Sequence, residues 1–257
     1  MADLKEKVGL VTGVLTGFGT GIAEGLAEAG ATIYLATGAP ADAMETTVAT
    51  VEALGGRAVP LTVDRSDDEA LLELFRRIES ESGRLDLLVN DAFQETDPPF
   101  GSDAFWEHPP AIWDDHCGIG LRRCYVAAAL AARLMVQQSS GLIVNLSGGS
   151  RHGQQLHAAC GVCEAGMDRM AAEMAAKLAG QGVTALSLAP GAVKTQMAAV
   201  SGRSAPDAGP LRSSRFVGRC IAALAMDPDV GEKTGGRFEI EALKREYRFS
   251  ELLEESS

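Results

Sequence analysis

Seven short apolar runs recur along the chain, at Val8–Val11, Thr32–Leu35, Ala58–Val63, Leu87–Asn90, Leu142–Leu146, Val183–Leu188 and Gly236–Ile240. Between them lie longer stretches with helical spacing of apolar positions, near 18–29, 40–54, 67–82, 111–137, 158–180 and 212–226. Runs that stay apolar without alternating predict strands buried on both faces, and helices between them predict a parallel sheet covered on each side. Right-handed crossovers then give a doubly wound α/β sheet of about seven strands. Neither a repeat nor a linker interrupts the pattern, so 1–257 reads as a single domain. Two stretches rich in Gly, Pro, Ser and Asp, 91–110 and 191–211, follow strand ends. Ligands of such sheets sit at the carboxyl ends of the strands, which makes both stretches candidate pocket walls and 191–211 the candidate substrate-loop region. Residues 248–257 read as an acidic C-terminal tail, frayed or packed.

The bulk numbers narrow the partners. The net charge of −12 argues against nucleic acid and anionic membrane surfaces. No apolar run approaches the roughly 20 residues that span a bilayer. Met1 to Lys7 lead straight into the first strand, so no signal peptide is expected. Five cysteines, an odd number without a framework spacing, point to reduced thiols in a cytoplasmic protein. A small molecule is the expected partner.

After the first strand the chain reads Thr12-Gly13-Val14-Leu15-Thr16-Gly17-Phe18-Gly19 and enters a helix at Thr20-Gly21. Glycines here permit a tight turn, close approach of N–H groups to a pyrophosphate, and packing of helix on strand. The spacing resembles the Thr-Gly-x-x-x-Gly-x-Gly turn of the short-chain dehydrogenase/reductase family, which implies a Rossmann-type fold. Further matches follow in the family's order: Asp64 after strand three, Asn90-Asp91-Ala92-Phe93 resembling Asn-Asn-Ala-Gly, and Pro190-Gly191 with Val193 and Thr195 after strand six. Phe105-Trp106-Glu107 and Trp113-Asp114-Asp115 resemble one subgroup of that family. The resemblance implies NAD(P) contacts at Gly13, Gly17, Phe18, Gly19, Asp64, Asn90, Ala92, Pro190, Gly191, Val193 and Thr195. The devices that select between the two dinucleotides are missing, however. Thr16 and Ala39 stand where NADP-preferring relatives carry arginines, and Ala36-Thr37-Gly38-Ala39-Pro40 lacks the acid that holds ribose hydroxyls. Losing one charge-assisted contact costs roughly 1.5–3 kcal/mol, so a weakened and unselective NAD(P) site is expected.

The same resemblance assigns a proton relay of serine, tyrosine, lysine and asparagine. The serine position is Ser147. Cys160 then falls at the tyrosine position, Glu164 at the lysine and Cys117 at the asparagine. A unit charge about 5 Å from a developing oxyanion contributes about 3 kcal/mol at an effective dielectric near 20. Exchanging lysine for an ionised glutamate reverses that sign, a swing near 6 kcal/mol or about four decades of rate. A neutral glutamic acid escapes the penalty and donates a hydrogen bond. Ordinary NAD(P)-dependent carbonyl reduction is therefore not expected. Cys160 and Glu164, at i and i+4, share one helix face. A thiol beside a carboxylate gains no help in ionising, so Glu164 is the better acid/base candidate, with Ser147 as a hydrogen-bond donor.

Three functions follow in order of preference: a non-redox enzyme (lyase, isomerase or cyclase), a catalytically silent binding or scaffold subunit, and an oxidoreductase with an unusual proton donor. The spacing of Cys160 and Cys163 resembles a redox motif without its context, and Cys163 is expected to point away from Glu164's side. A zinc site from Cys117, Cys160 and His157 lacks close-spaced ligands, so no metal is expected. His108 and His116 read as solvated or structural. Helices 111–137 and 158–180 are rich in Ala and Met, and the resemblance makes them the contact of a homodimer or homotetramer.

Overall fold

The computed structural model describes residues 3–15, 18–64, 67–91, 104–148, 158–191, 193–194 and 212–249. Strands β1 (Val8–Thr12), β2 (Thr32–Thr37), β3 (Arg57–Thr62), β4 (Leu87–Asp91), β5 (Gly141–Leu146), β6 (Val183–Ala189) and β7 (Arg237–Glu239) form one parallel sheet in the order β3-β2-β1-β4-β5-β6-β7. Each falls on one of the seven apolar runs. The strand order reverses between β1 and β4, where Gly9 pairs with Ile33 on one side and Leu87 on the other. Their carboxyl ends open the crevice that holds the candidate site.

Alternate side chains of the strands feed two cores. Val11, Val89, Val144 and Leu186 pack with α1 (Gly19–Ala27) and α6 (Ser214–Met226), through Ile22, Leu26, Phe216 and Ile221. Leu10, Leu88, Ile143 and Ala185 pack with α3 (Asp68–Ser82), α4 (Arg122–Gln137) and α5 (Ala158–Leu178). Burial on both faces is the reason the strands are continuously apolar. The helix α2 (Glu45–Ala53) follows a 3₁₀ turn at Ala41–Met44 and leans on β3 and α1.

The contact between α1 and α6 is unusually close. A Cβ on Gly25 would lie 2.5 Å from the Arg219 nitrogen, and one on Gly218 would lie 2.5 Å from the Ile22 carbonyl oxygen. Glycine is thus required for the approach. Ion pairs flank the seam: Arg215 Nε to Glu24 at 2.8 Å and Arg219 Nε to Glu28 at 2.6 Å.

Two stretches depart from the sequence reading. The helix expected across 111–137 starts with one α-turn at Ala111–Trp113, widens into π-helical turns over Asp114–Leu121, and becomes regular only in α4. Gly118 and Gly120 supply no side chain to hold the tighter register there, and the widened turns pack on α5. The second departure is a short helix, α7 (Ile240–Glu246), directly after β7. Tyr247, just before the expected tail, donates to Asp227 at 2.6 Å, and Phe249 within the tail meets Phe216 edge to face. Val193–Lys194 pairs with Arg212–Ser213 as a two-residue parallel ladder, and the rest of the expected loop lies outside the described residues.

Candidate active site

The turn after β1 keeps its left-handed geometry, with φ of +73° at Gly13 and +78° at Leu15. A Cβ on Gly13 would sit 3.1 Å from Asp91 Cβ, and one on Gly19 would sit 2.9 Å from the backbone of Gly13 and Val14. The turn therefore folds tightly on itself and on the end of β4. Thr12 ties the two strand ends together: its Oγ1 accepts from the Asp91 N–H at 3.1 Å and donates to the Val89 carbonyl at 3.3 Å. Asn90 is fully buried and donates to Asn145 Oδ1 at 3.0 Å and to the Cys124 carbonyl at 3.1 Å, so its described bonds brace the sheet to α4.

The Phe18 N–H, at the start of α1, donates to Asp91 Oδ2 at 3.0 Å. Beyond β2, the Ala39 N–H turns back onto Thr37 Oγ1 and the Ala39 carbonyl accepts from Thr62, and the turn residues Gly38, Ala39 and Pro40 carry no charge. Asp64 is exposed at the end of β3, Pro190 is buried, and Gly191 has φ +72°. The backbone shape of this turn fits a dinucleotide. A carboxylate, that of Asp91, already holds one amide at the helix start. Gly17, Ala92 and Thr195 lie outside the described residues, as does the side chain of Val193.

The α5 helix brings Cys160, Cys163, Glu164 and Asp168 toward the ends of β5 and β6. Cys160 Sγ lies 4.0 Å from Glu164 Oε1, as i, i+4 spacing demands. Burial, the neighbouring carboxyl and the other thiols push the Cys160 pKa far up, and Cys163 is pushed up to about 12, chiefly by burial. Cys117, on the π-helical turns, aims its thiol at the Ala159 carbonyl 3.7 Å away and is also raised by burial. None of these thiols is activated, so nucleophilic thiolate chemistry is not built here.

Glu164 is different. Burial, then the charge of Asp168, raise its carboxyl from 4.5 to about 7, while the Gly148 N–H and Arg237 pull it partly back. Its Oε2 is screened from solvent and finds no hydrogen-bond partner among the described residues. Gly148 is the residue that allows this placement, since a Cβ there would lie 2.1 Å from Oε1. At neutral pH the carboxyl is divided between acid and carboxylate, the state that suits a proton carrier.

Ser147 is buried and donates to Asp168 Oδ1 at 2.6 Å, and Asp168 Oδ2 is 3.1 Å from Arg237 Nε. The serine hydrogen thus points to Asp168, leaving lone pairs rather than a donor for a ligand. Neither Asp168 nor Arg237 belongs to a motif of the sequence. The i+4 spacing of Asp168 from Glu164 signals the first, but only the fold brings β7 and Arg237 there. The Ser147–Asp168 bond corrects the donor role expected of Ser147 toward a ligand, and His116 takes the structural alternative over the solvated one. His116 is almost fully buried and lines a cavity of about 50 Å3 together with Phe18, Asp91, Ser147, Cys160 and Glu164. Cys163 borders the same cavity instead of pointing away from it, because it packs toward Met167 and the π-helical turns. His157 lies outside the described residues, among which no group of metal-ligating side chains assembles. A larger cavity, about 470 Å3, lies at the opposite, amino-terminal ends of the strands beside Lys7, Leu87 and Leu142, and contains none of these groups.

Comparison with known proteins follows the same lines. The sequence pattern of the family described as short chain dehydrogenase matches residues 7–205. The chain is 36% identical to mouse dehydrogenase/reductase SDR family member 1 over 98% of its length and 85% of that protein. It is 35% identical to the human protein of that name, over 91% and 79% respectively. A doubly substituted short-chain dehydrogenase/reductase from Serratia marcescens superposes with a TM-score of 0.77 at 27% identity, covering 92% of this chain and 96% of that one. A metagenomic short-chain oxidoreductase solved with NADP shares the fold, with a TM-score of 0.73 at 23% identity over 88% of this chain and 93% of that one. No helix among the described residues is long and apolar enough to cross a membrane.

Proposed function

The chain belongs to the short-chain dehydrogenase/reductase family, and from that premise we propose a small-molecule enzyme that uses Glu164 as its acid/base. The reaction is non-redox, of the lyase, isomerase or cyclase kind. One observation carries this reading: a part-buried carboxyl, raised to about 7, with one oxygen unpaired among the described residues at the strand-end cleft. Ser147 orients a substrate hydroxyl or amine by accepting from it, since its own hydrogen is directed to Asp168. Cys160 stays protonated and holds Glu164 Oε1 in place.

A second reading keeps hydride transfer, with Glu164 as the proton source. It is favoured by the preserved turn shape and by relatives named as dehydrogenase/reductases, which support NAD(P) binding in general. The cofactor would supply the hydride. The chain's part is the turn at Gly13 and Gly19 and the acid at Glu164. Assembly is proposed as a homodimer or homotetramer through α4 and α5, where exposed Tyr125 edges an apolar groove formed with Ala129, Ala132, Met170 and Met174.

Conversion of candidate hydroxy, keto and enol metabolites, followed with and without NADH or NADPH, tests the proposal. General acid/base groups contribute roughly 10²–10⁴-fold, so Glu164→Gln should lose that factor while Cys160→Ala stays within tenfold. Conversion only with a nicotinamide cofactor selects the second reading. Unchanged conversion in Glu164→Gln removes both readings, and absence of conversion by the wild-type protein with or without cofactor leaves a silent subunit.

A further inference from the structure

The carboxylate of Asp91 occupies the place where the dinucleotide turn presents its first helical amide. Asp91 closes β4, is almost fully buried, and is clamped through its own N–H by Thr12 Oγ1. Its Oδ2 accepts from the Phe18 N–H at 3.0 Å, immediately before α1 begins at Gly19. The α1 helix has no acidic residue in its own first turn, so Asp91 is the negative charge recorded at that terminus among the described residues. Amides at a helix start attract anions because their hydrogens are unpaired and the helix dipole is positive there. Here one such hydrogen is already taken, and by a full negative charge.

We propose that Asp91 is a built-in anion that competes with the pyrophosphate of a nicotinamide dinucleotide, and that it sets the affinity of this cleft for NAD(P). A pyrophosphate brought to the turn must either displace the carboxylate from Phe18 or lie beside it as a like charge. Asp91 has little freedom to withdraw. Its Cβ packs so close to Gly13 that an added Cβ there would lie 3.1 Å away, and Thr12 holds its backbone N–H. The cleft therefore favours ligands that are neutral at this point. This inference stands on the Asp91 contact alone and does not depend on the role of Glu164.

The test is a calorimetric and fluorescence titration of NADH, NADPH and ADP against the wild-type protein, Asp91→Asn and Asp91→Ala. Asparagine keeps the size and the acceptor for Phe18 while removing the charge. The expected result is binding at least about tenfold tighter for all three probes in both variants, with wild type no better than roughly 100 μM. Unchanged or weaker binding in variants whose thermal melts match wild type overturns the proposal. Should neither variant fold, wild-type protein decides: low-micromolar affinity for either dinucleotide overturns it, and affinity weaker than about 100 μM upholds it. Loss of conversion in Glu164→Gln leaves these titrations unaffected, so failure of one reading is separable from failure of the other.

Discussion

Glu164 holds its proton more tightly in the folded chain than in the unfolded one, and this fixes the sign of a pH effect on stability. Burial and Asp168 raise its carboxyl from 4.5 to about 7, against the pull of Gly148 and Arg237. Because the folded state binds the extra proton between those values, stability falls as pH rises through that window. The penalty is nearly absent below pH 4.5 and complete above pH 7. Integrated between pH 5 and pH 8, it amounts to about 2.5 kcal/mol. Glu164→Gln removes the charge while keeping the shape, so its stability relative to wild type should climb by that amount across the same range. For a chain of this size 1 kcal/mol moves Tm by roughly 2–4 °C, giving a relative gain of about 5–10 °C. Thermal unfolding of both proteins at pH 5 and pH 8, in matched ionic strength, measures it. A difference that is flat with pH would refute the reasoning, since it would mean the carboxyl ionises without hindrance in the folded state.

Gly25→Val should destabilise the chain by at least about 3 kcal/mol, because the new Cβ meets the Arg219 nitrogen at 2.5 Å; a chemical melt that shifts by less than about 1 kcal/mol contradicts the close seam. Native protein at pH 8 should label slowly with a thiol-reactive chromophore at Cys160 and Cys163, and fastest at the less buried Cys117. Rapid labelling at Cys160 would overturn the picture of a buried, protonated thiol. Arg237→Gln removes a positive charge that lowers the Glu164 carboxyl, so the midpoint of Glu164 should move above 7; a downward move in the same NMR titration contradicts the assigned contact.

How much of this was legible in the sequence depends on how local each signal is. The strands were readable because burial on both faces writes itself as runs such as Leu87–Asn90 and Leu142–Leu146. The Gly13 and Gly19 turn was readable because its backbone geometry demands glycine. The pairing of Cys160 with Glu164 followed from helical spacing alone. Asp168 obeys the same i+4 rule from Glu164, but spacing alone does not say that its charge acts on a buried carboxyl. The π-helical turns were not readable, because Gly118 and Gly120 weaken a register without specifying another. Arg237 reaches the site only through the pairing of β7 with β6, and Asp91 meets Phe18 only because β4 lies beside β1. Contacts of that kind belong to the fold and have no local signature.

A near-neutral acid at position 164 is the central property of the site, and carboxyl-carbon NMR on glutamate-labelled protein, with Glu164→Gln assigning the resonance, reads it without any substrate. A midpoint close to 7 is the predicted result. A midpoint at or below 4.5 would contradict it, leaving an ordinary ionised carboxylate that has no proton to give at neutral pH.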